Sequence, residues 1–172
     1  KAQPGKLNYA SYGSGTTSRM LAELFQQVTN TSMVHIVYKG SAPAILDLIA
    51  GRTQLMFDSL ASAYPHVQRG ALKALAVTSE QRPELAPDLP TMAEVGLPGC
   101  VMSGWAGLLA PAGTPAPAVS RLHETVKAFV NAPEMRERLG KMGLLVTGTE
   151  PSQFREMIRA ETERIAEPGE IP

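Results

Sequence analysis

Along the first half of the chain, short apolar runs bounded by turn residues alternate with segments whose apolar residues return every three or four positions. Leu7-Asn8-Tyr9-Ala10-Ser11 predicts a strand, and after a glycine-rich loop Met20, Leu21, Leu24, Phe25 and Val28 mark one face of a helix. The pattern then repeats. Val34-His35-Ile36-Val37-Tyr38 predicts a second strand, Ser41 an N-cap with Pro43 in the first turn, and 44–50 a helix stopped by Gly51. A third unit runs from a strand at 54–57 through Asp58-Ser59 into a helix over 62–68 closed by Gly70, and 72–78 predicts a fourth strand. Strand and helix in strict alternation predict an α/β layer with a parallel-rich sheet and flanking helices.

After Ser79 the texture changes. Arg82-Pro83-Glu84-Leu85-Ala86-Pro87-Asp88-Leu89-Pro90 is a proline-rich connection, and Thr91-Met92-Ala93-Glu94 fits a capping box at the start of a short helix ending at Gly96. The apolar stretch 100–110, with Gly104 and Gly107, leads into Pro111-Ala112-Gly113-Thr114-Pro115 and reads as a crossover between two lobes. Three helices follow, marked by Val119, Leu122, Val126 and Val130, by Met135, Leu139 and Met142, and by Phe154, Ile158 and Ile165. One short strand is predicted at 144–146. The helical stripes need a sheet to cover them, and the last third of the chain offers few strands. The opening Lys1-Ala2-Gln3-Pro4-Gly5 has the form of a helix end without its helix, so the chain is expected to begin partway through a larger protein.

Composition narrows the function. At 172 residues, with sixteen basic and sixteen acidic residues scattered along the chain, there is length for a real core and no basic face for nucleic acid or an anionic membrane. The longest apolar stretches are too short to cross a bilayer, and the N-terminus lacks a charged region followed by an apolar core. Cys100 stands alone, which excludes an intrachain disulfide and a cysteine metal cluster; beside Val101 and Met102 it is expected to be a buried small apolar residue. No His, Cys or carboxylate group has zinc-ligand spacing, and no cofactor motif is present.

The residues with chemistry gather at strand ends. Gly13-Ser14-Gly15-Thr16-Thr17-Ser18 lies between a strand and a helix: glycines allow close backbone approach, hydroxyls donate, and the helix start offers unpaired amides and a positive dipole end. The loop suits an anion such as a carboxylate, or forms simply a turn with its N-cap. It lacks the Lys of a phosphate loop and the third glycine of a dinucleotide fingerprint. Lys39-Gly40-Ser41 and Asp58-Ser59 repeat the arrangement after the next two strands, and in a parallel sheet all three loops meet at the carboxyl edge, where open α/β folds bind ligands. Lys39 is expected to be solvated, and Asp58 either caps the following helix, the favoured reading, or accepts from a ligand. A hydrolytic triad is disfavoured, because Tyr12 stands where a nucleophile elbow needs glycine and His35 sits in an apolar strand. His66 and His123 are expected at the surface, and Trp105 in the core or lining a cleft at the crossover.

Taken in order, Leu7 to Thr17, Val37-Tyr38-Lys39-Gly40-Ser41-Ala42-Pro43-Ala44, Leu55-Met56-Phe57-Asp58-Ser59, Leu75-Ala76-Val77-Thr78-Ser79, Pro90-Thr91-Met92-Ala93-Glu94 and Gly107-Leu108-Leu109-Ala110-Pro111-Ala112-Gly113-Thr114-Pro115 carry a resemblance. The chain resembles the tripartite tricarboxylate transporter substrate-binding receptors, also called the Bug family. The resemblance implies a type II periplasmic-binding-protein-like fold that encloses a small carboxylate, a dicarboxylate, tricarboxylate or acidic amino acid, between two lobes and delivers it without catalysis to membrane permease subunits. It implies a periplasmic location, a second, inserted lobe over residues 1–99 lacking its start, and over 100–172 the hinge crossover and C-terminal helical part of a first lobe that is only partial. Carried over by position, the ligand contacts are Tyr12, Gly13, Ser14, Gly15, Thr16 and Thr17, then Gly40 and Ser41, then Asp58 and Ser59. The ending Ala166-Glu167-Pro168-Gly169-Glu170-Ile171-Pro172 departs from the family's longer helical tail. The competing reading is an α/β enzyme holding a small anionic substrate at the Gly13 to Ser18 loop. Uncovered helical stripes also predict self-association of this chain.

Overall fold

The computed structural model describes residues 4–13 and 15–166, with side chains to residue 163. Lys1, Ala2 and Gln3 of the expected helix end, Ser14 of the loop and the ending from Glu167 lie outside the described residues. The chain divides into two compact units, Lys1–Gly104 and Trp105–Pro172.

In the first unit, β1 (Asn8–Ser11), α1 (Thr17–Thr29), β2 (Val34–Val37), α2 (Ser41–Ile49), β3 (Leu55–Met56) and α3 (Leu60–Gln68) follow the predicted alternation. The strands form a parallel sheet in the order β2-β1-β3, with Tyr9 opposite His35 on one side and Leu55 on the other. One right-handed crossover runs from β1 out to β2 and the next from β2 back across β1 to β3, and because they run in opposite directions α1 and α2 lie on opposite faces of the sheet. Ala10, wholly buried, lies at the centre with Ala22 of α1 and Ala44 and Ile45 of α2 buried around the sheet. A second core joins Leu21 and Leu24 of α1 to Met92, Cys100 and Met102. Cys100 is fully buried and its thiol is pushed above its ordinary pKa by that burial, as its apolar neighbours predict.

Several expectations are corrected. α2 begins at Ser41, the expected cap, and Gly40 is the cap instead; Gly40 has φ +137°, a backbone angle that side chains rarely adopt. The fourth strand at 72–78 is replaced by a single bridge from Val77 to Thr91. Val77 N–H donates to the Pro90 carbonyl and Met92 N–H to the Val77 carbonyl, and Pro90 has no N–H with which to extend the ladder. The capping box forms, with Thr91 N–H donating to Glu94 at 2.7 Å and Glu94 N–H to the Thr91 hydroxyl at 3.2 Å, but it closes turns rather than a helix, followed by a 3-10 turn at Pro98–Cys100. Arg82 pairs with Glu94 at 3.0 Å and holds that carboxyl below its usual range, tying the proline-rich connection to the box.

In the second unit α4 (Ala116–Asn131), α5 (Pro133–Lys141) and α6 (Pro151–Ala166) fall where the stripes place them. The strand expected at 144–146 does not form: Leu145 is 89 % exposed, and among the described residues this unit has no strand to pair with it. No residue of α4 or α5 is buried. Trp105 is half-exposed rather than core, its indole N–H donating to Glu161 and its ring edge-on to Phe154 at 5.1 Å. His123 is more enclosed than expected, 21 % exposed and 3.1 Å from Glu150.

Because Thr91 is buried and its hydroxyl accepts the Glu94 amide, Thr91→Ala is expected to destabilise the first unit by about 1 kcal/mol, the usual cost of losing such a cap. Urea unfolding followed by circular dichroism measures it.

Candidate functional site

Three loops leave the carboxyl edge of the sheet, and they differ in how their helix starts are satisfied. At α1, Thr16 has extended backbone angles but its side chain makes no capping bond; its hydroxyl donates back to the Gly13 carbonyl at 2.8 Å. Arg19 and Met20 N–H groups bond to the Thr16 carbonyl, so the amides of Thr17 and Ser18 are the ones a helix start leaves for an outside acceptor. Ser18 is buried and donates its hydroxyl to the Phe57 carbonyl at 2.6 Å, which anchors the start of α1 across the end of β3. Gly13, with φ +141°, has a backbone angle that side chains rarely adopt, and a Cβ there would lie a tight 3.3 Å from the Thr16 methyl.

At α2 the cap is Gly40, which has no side chain to offer, and Pro43 has no N–H. The amides of Ser41 and Ala42 are left open in the same way. α3 is different. The Ser59 hydroxyl accepts Ser62 N–H at 3.4 Å, and Ser59 N–H donates to Asp58 Oδ1 at 2.9 Å, so this start closes on itself. The cap expected of Asp58 is therefore supplied by Ser59.

Asp58 has another role. Its Oδ2 accepts the Ser41 hydroxyl at 2.5 Å while Oδ1 accepts the Ser59 amide. Tyr12 lies near the same carboxylate: its phenol is raised above its ordinary pKa first by burial, then by the Asp58 charge. One half-buried carboxylate thus ties the α2 start to the α3 start, beside the 12–17 loop. The open amides of α1 and α2 flank it, and both helices point their positive ends to this edge. Of the predicted residues, Ser41, Asp58 and Ser59 meet directly, Tyr12 lies within the influence of the Asp58 charge, Thr16 and Gly13 shape the first loop, and Gly15 is exposed. Lys39 is exposed, as expected.

Sequence reasoning missed Ser11 and the connection from it to His35. Ser11 is fully buried at the end of β1, its hydroxyl 2.6 Å from His35 Nε2, and Gly13 N–H donates to it at 3.5 Å. The His35 ring stacks on Tyr9 at 4.8 Å. The signal was present: Tyr9 and Ser11 are two apart on a strand and share a face, and a parallel register brings His35 to that face. A serine bonded to a histidine resembles a nucleophile and its base, but Ser11 has no exposed surface from which to attack a substrate.

With this geometry in view, residues 1–168 match the model of the tripartite tricarboxylate transporter family receptor. The chain is 33% identical to protein BugT of Bordetella pertussis over 166 residues, 96% of this chain and 51% of that protein. Among solved structures it is similar to Rpa4515 of R. palustris with adipate, with TM-score 0.91 and 34% identity over 96% of this chain and 55% of the other. It is also similar to MatC of Rhodopseudomonas palustris with bound malate, with TM-score 0.85 and 31% identity over 93% of this chain and 55% of the other. The fold is therefore that of periplasmic binding proteins, in agreement with the predicted class. The chain spans about half the length of these relatives.

Because Asp58 joins the α2 and α3 starts through two charge-assisted bonds, Asp58→Ala is expected to destabilise the first unit by about 2 kcal/mol. It is also expected to lower the Tyr12 phenol toward its ordinary value, leaving the burial effect. Denaturant unfolding gives the first, and tyrosinate absorbance on alkaline titration, compared with Tyr12→Phe, gives the second.

Proposed function

Since the chain belongs to the tripartite tricarboxylate transporter receptor family, together with Bug proteins, we propose that it contributes the anion-binding wall of a receptor for a small carboxylate and performs no catalysis. The observation that carries this reading is the pair of uncapped helix starts, at Thr17 and Ser18 and at Ser41 and Ala42, held on either side of a carboxylate that has already been supplied with donors. Adipate and malate are held by the similar proteins named above, and a dicarboxylate is the ligand class proposed here. Backbone amides and the hydroxyls of Ser14 and Thr17 hold it, with Tyr12, Gly13, Gly15, Thr16, Gly40, Ser41, Asp58 and Ser59 forming the surround.

In the whole protein, residues 1–99 belong to the second lobe and residues 100–172 carry the crossover and the returning part of the first. The receptor works in the periplasm and passes its ligand to the membrane permease subunits of the transporter. Leu122 and Phe129 of α4 are at least half exposed, and this chain by itself covers such a stripe by self-association.

Two helix starts, each worth up to about 2 kcal/mol to a partly buried anion, give a dissociation constant on the order of 1 mM for this chain alone. At about a hundred times that concentration, adipate or malate is expected to stabilise the chain by about 2.7 kcal/mol and raise its melting point by several degrees, with phosphate and nucleotides at matched ionic strength as controls. Thr17→Pro removes one open amide at a position where a helix start tolerates proline. It is expected to weaken the carboxylate effect about tenfold with the fold retained; an unchanged affinity rules out the amide site. Light scattering at working concentration is expected to find a dimer or larger species, and a monodisperse monomer counts against self-association.

A further inference from the structure

We propose that His35 is a positioning residue for the 12–17 loop and acts through the buried Ser11 hydroxyl on the Gly13 amide. The proposal rests on the carboxylate reading of that loop, but its chemistry is fixed by four observations. Ser11 has no exposed surface, its oxygen lies 2.6 Å from His35 Nε2, Gly13 N–H donates to that same oxygen, and Tyr9 stacks on the imidazole and holds the ring in place.

Proton placement follows. Because the Ser11 oxygen accepts from Gly13, its own proton is free to point at Nε2, which is then the unprotonated nitrogen, with the ring proton on Nδ1. Protonating His35 reverses the bond. Nε2–H then donates, the Ser11 oxygen must accept from both His35 and Gly13, and the serine proton loses its acceptor in a buried site. The Gly13 bond, at 3.5 Å the longer of the two, yields first. Gly13 is where the chain leaves β1 at φ +141° for the anion loop, so the neutral imidazole sets the direction in which the loop departs.

The charged and titratable groups that face His35 are Tyr9 on β1 and Arg19 and Glu23 on α1. Burial, followed by Arg19, holds the imidazole below its ordinary value of 6.5, against the opposing charge of Glu23. A lowered pKa in the folded state means that the unfolded chain binds more protons between the two values. Stability therefore rises with pH across that window and is lost as pH falls from 6.5 through the folded value.

The test is a pH titration of the isotope-labelled chain by NMR, which does not depend on ligand binding. In the unaltered chain the Gly13 amide is expected to titrate with the same midpoint as the His35 ring protons, below 6.5, and Nε2 is expected to show the chemical shift of an unprotonated nitrogen. In Ser11→Ala the His35 ring still titrates while the Gly13 amide no longer follows it. His35→Phe keeps a ring against Tyr9 and is expected to remove both the Gly13 inflection and the loss of thermal stability just below that pH. A Gly13 amide that ignores His35 in the unaltered chain, or that follows it equally in Ser11→Ala, overturns the proposal, as does a protonated Nε2 at neutral pH. Adipate titration separates the two readings. Affinity falling by about fivefold or more in both variants supports the positioning role, and unchanged affinity in both overturns it. If the unaltered chain binds no adipate at any pH, the carboxylate reading fails, while the amide titration still decides the connection from His35 to Gly13.

Discussion

The site depends on a negative charge placed where an anion is expected to bind. Asp58 stands at the end of β3 between two open helix starts, and an unshielded carboxylate there would repel a second one. It is not unshielded. The Ser41 hydroxyl and the Ser59 amide both donate to it, and hydrogen bonds of this kind are the stronger class because the acceptor is ionised. Its charge is spent in holding the α2 and α3 starts together, and the donors left over at the edge are the amides of α1 and α2.

Sheet order explains why those amides face the same space. With β2 and β3 on opposite sides of β1, the crossover out to β2 and the one returning across β1 to β3 cover opposite faces, and a reversal of this kind opens a crevice at the carboxyl end of the strands. α1 is anchored across that crevice by the Ser18 hydroxyl on the Phe57 carbonyl, so its start belongs as much to β3 as to β1. The chain has no excess of basic residues and needs none at this edge. Oriented backbone dipoles supply the positive potential without a Lys or Arg that would have to be desolvated or ordered.

Much of this was legible in the sequence because it depends on local rules. The alternation of strand and helix, the glycine-rich first loop, the capping box at Thr91 and Glu94 and the burial of Cys100 all follow from residue type and spacing. What was misread depends on partners distant in the chain. The strand expected at 72–78 needed a neighbour able to extend a ladder and met Pro90; the one at 144–146 has no strand beside it among the described residues of its unit. Asp58 was read as a cap because a cap is the commonest local use of aspartate, whereas its main partner, Ser41, lies seventeen residues away on another loop. Ser11 escaped notice for the same reason: its importance lies in a histidine twenty-four residues further on.

A site built from helix-start amides also sets what the proposed anion wall can discriminate. An amide reads charge and the planar spread of carboxylate oxygens, features that adipate and malate share, and is indifferent to chain length or to a hydroxyl at the next carbon. The Ser41 hydroxyl cannot read such a substituent as a donor, because its proton is committed to Asp58, which leaves only its lone pairs for a ligand. In the proposed receptor this wall therefore fixes one carboxylate in a common position, and selectivity among ligands must come from groups that meet the remainder of the molecule. Such a division lets one rigid anion site serve many substrates, because the shared group is held by backbone that substitution cannot remove and the variable group by side chains that substitution can change.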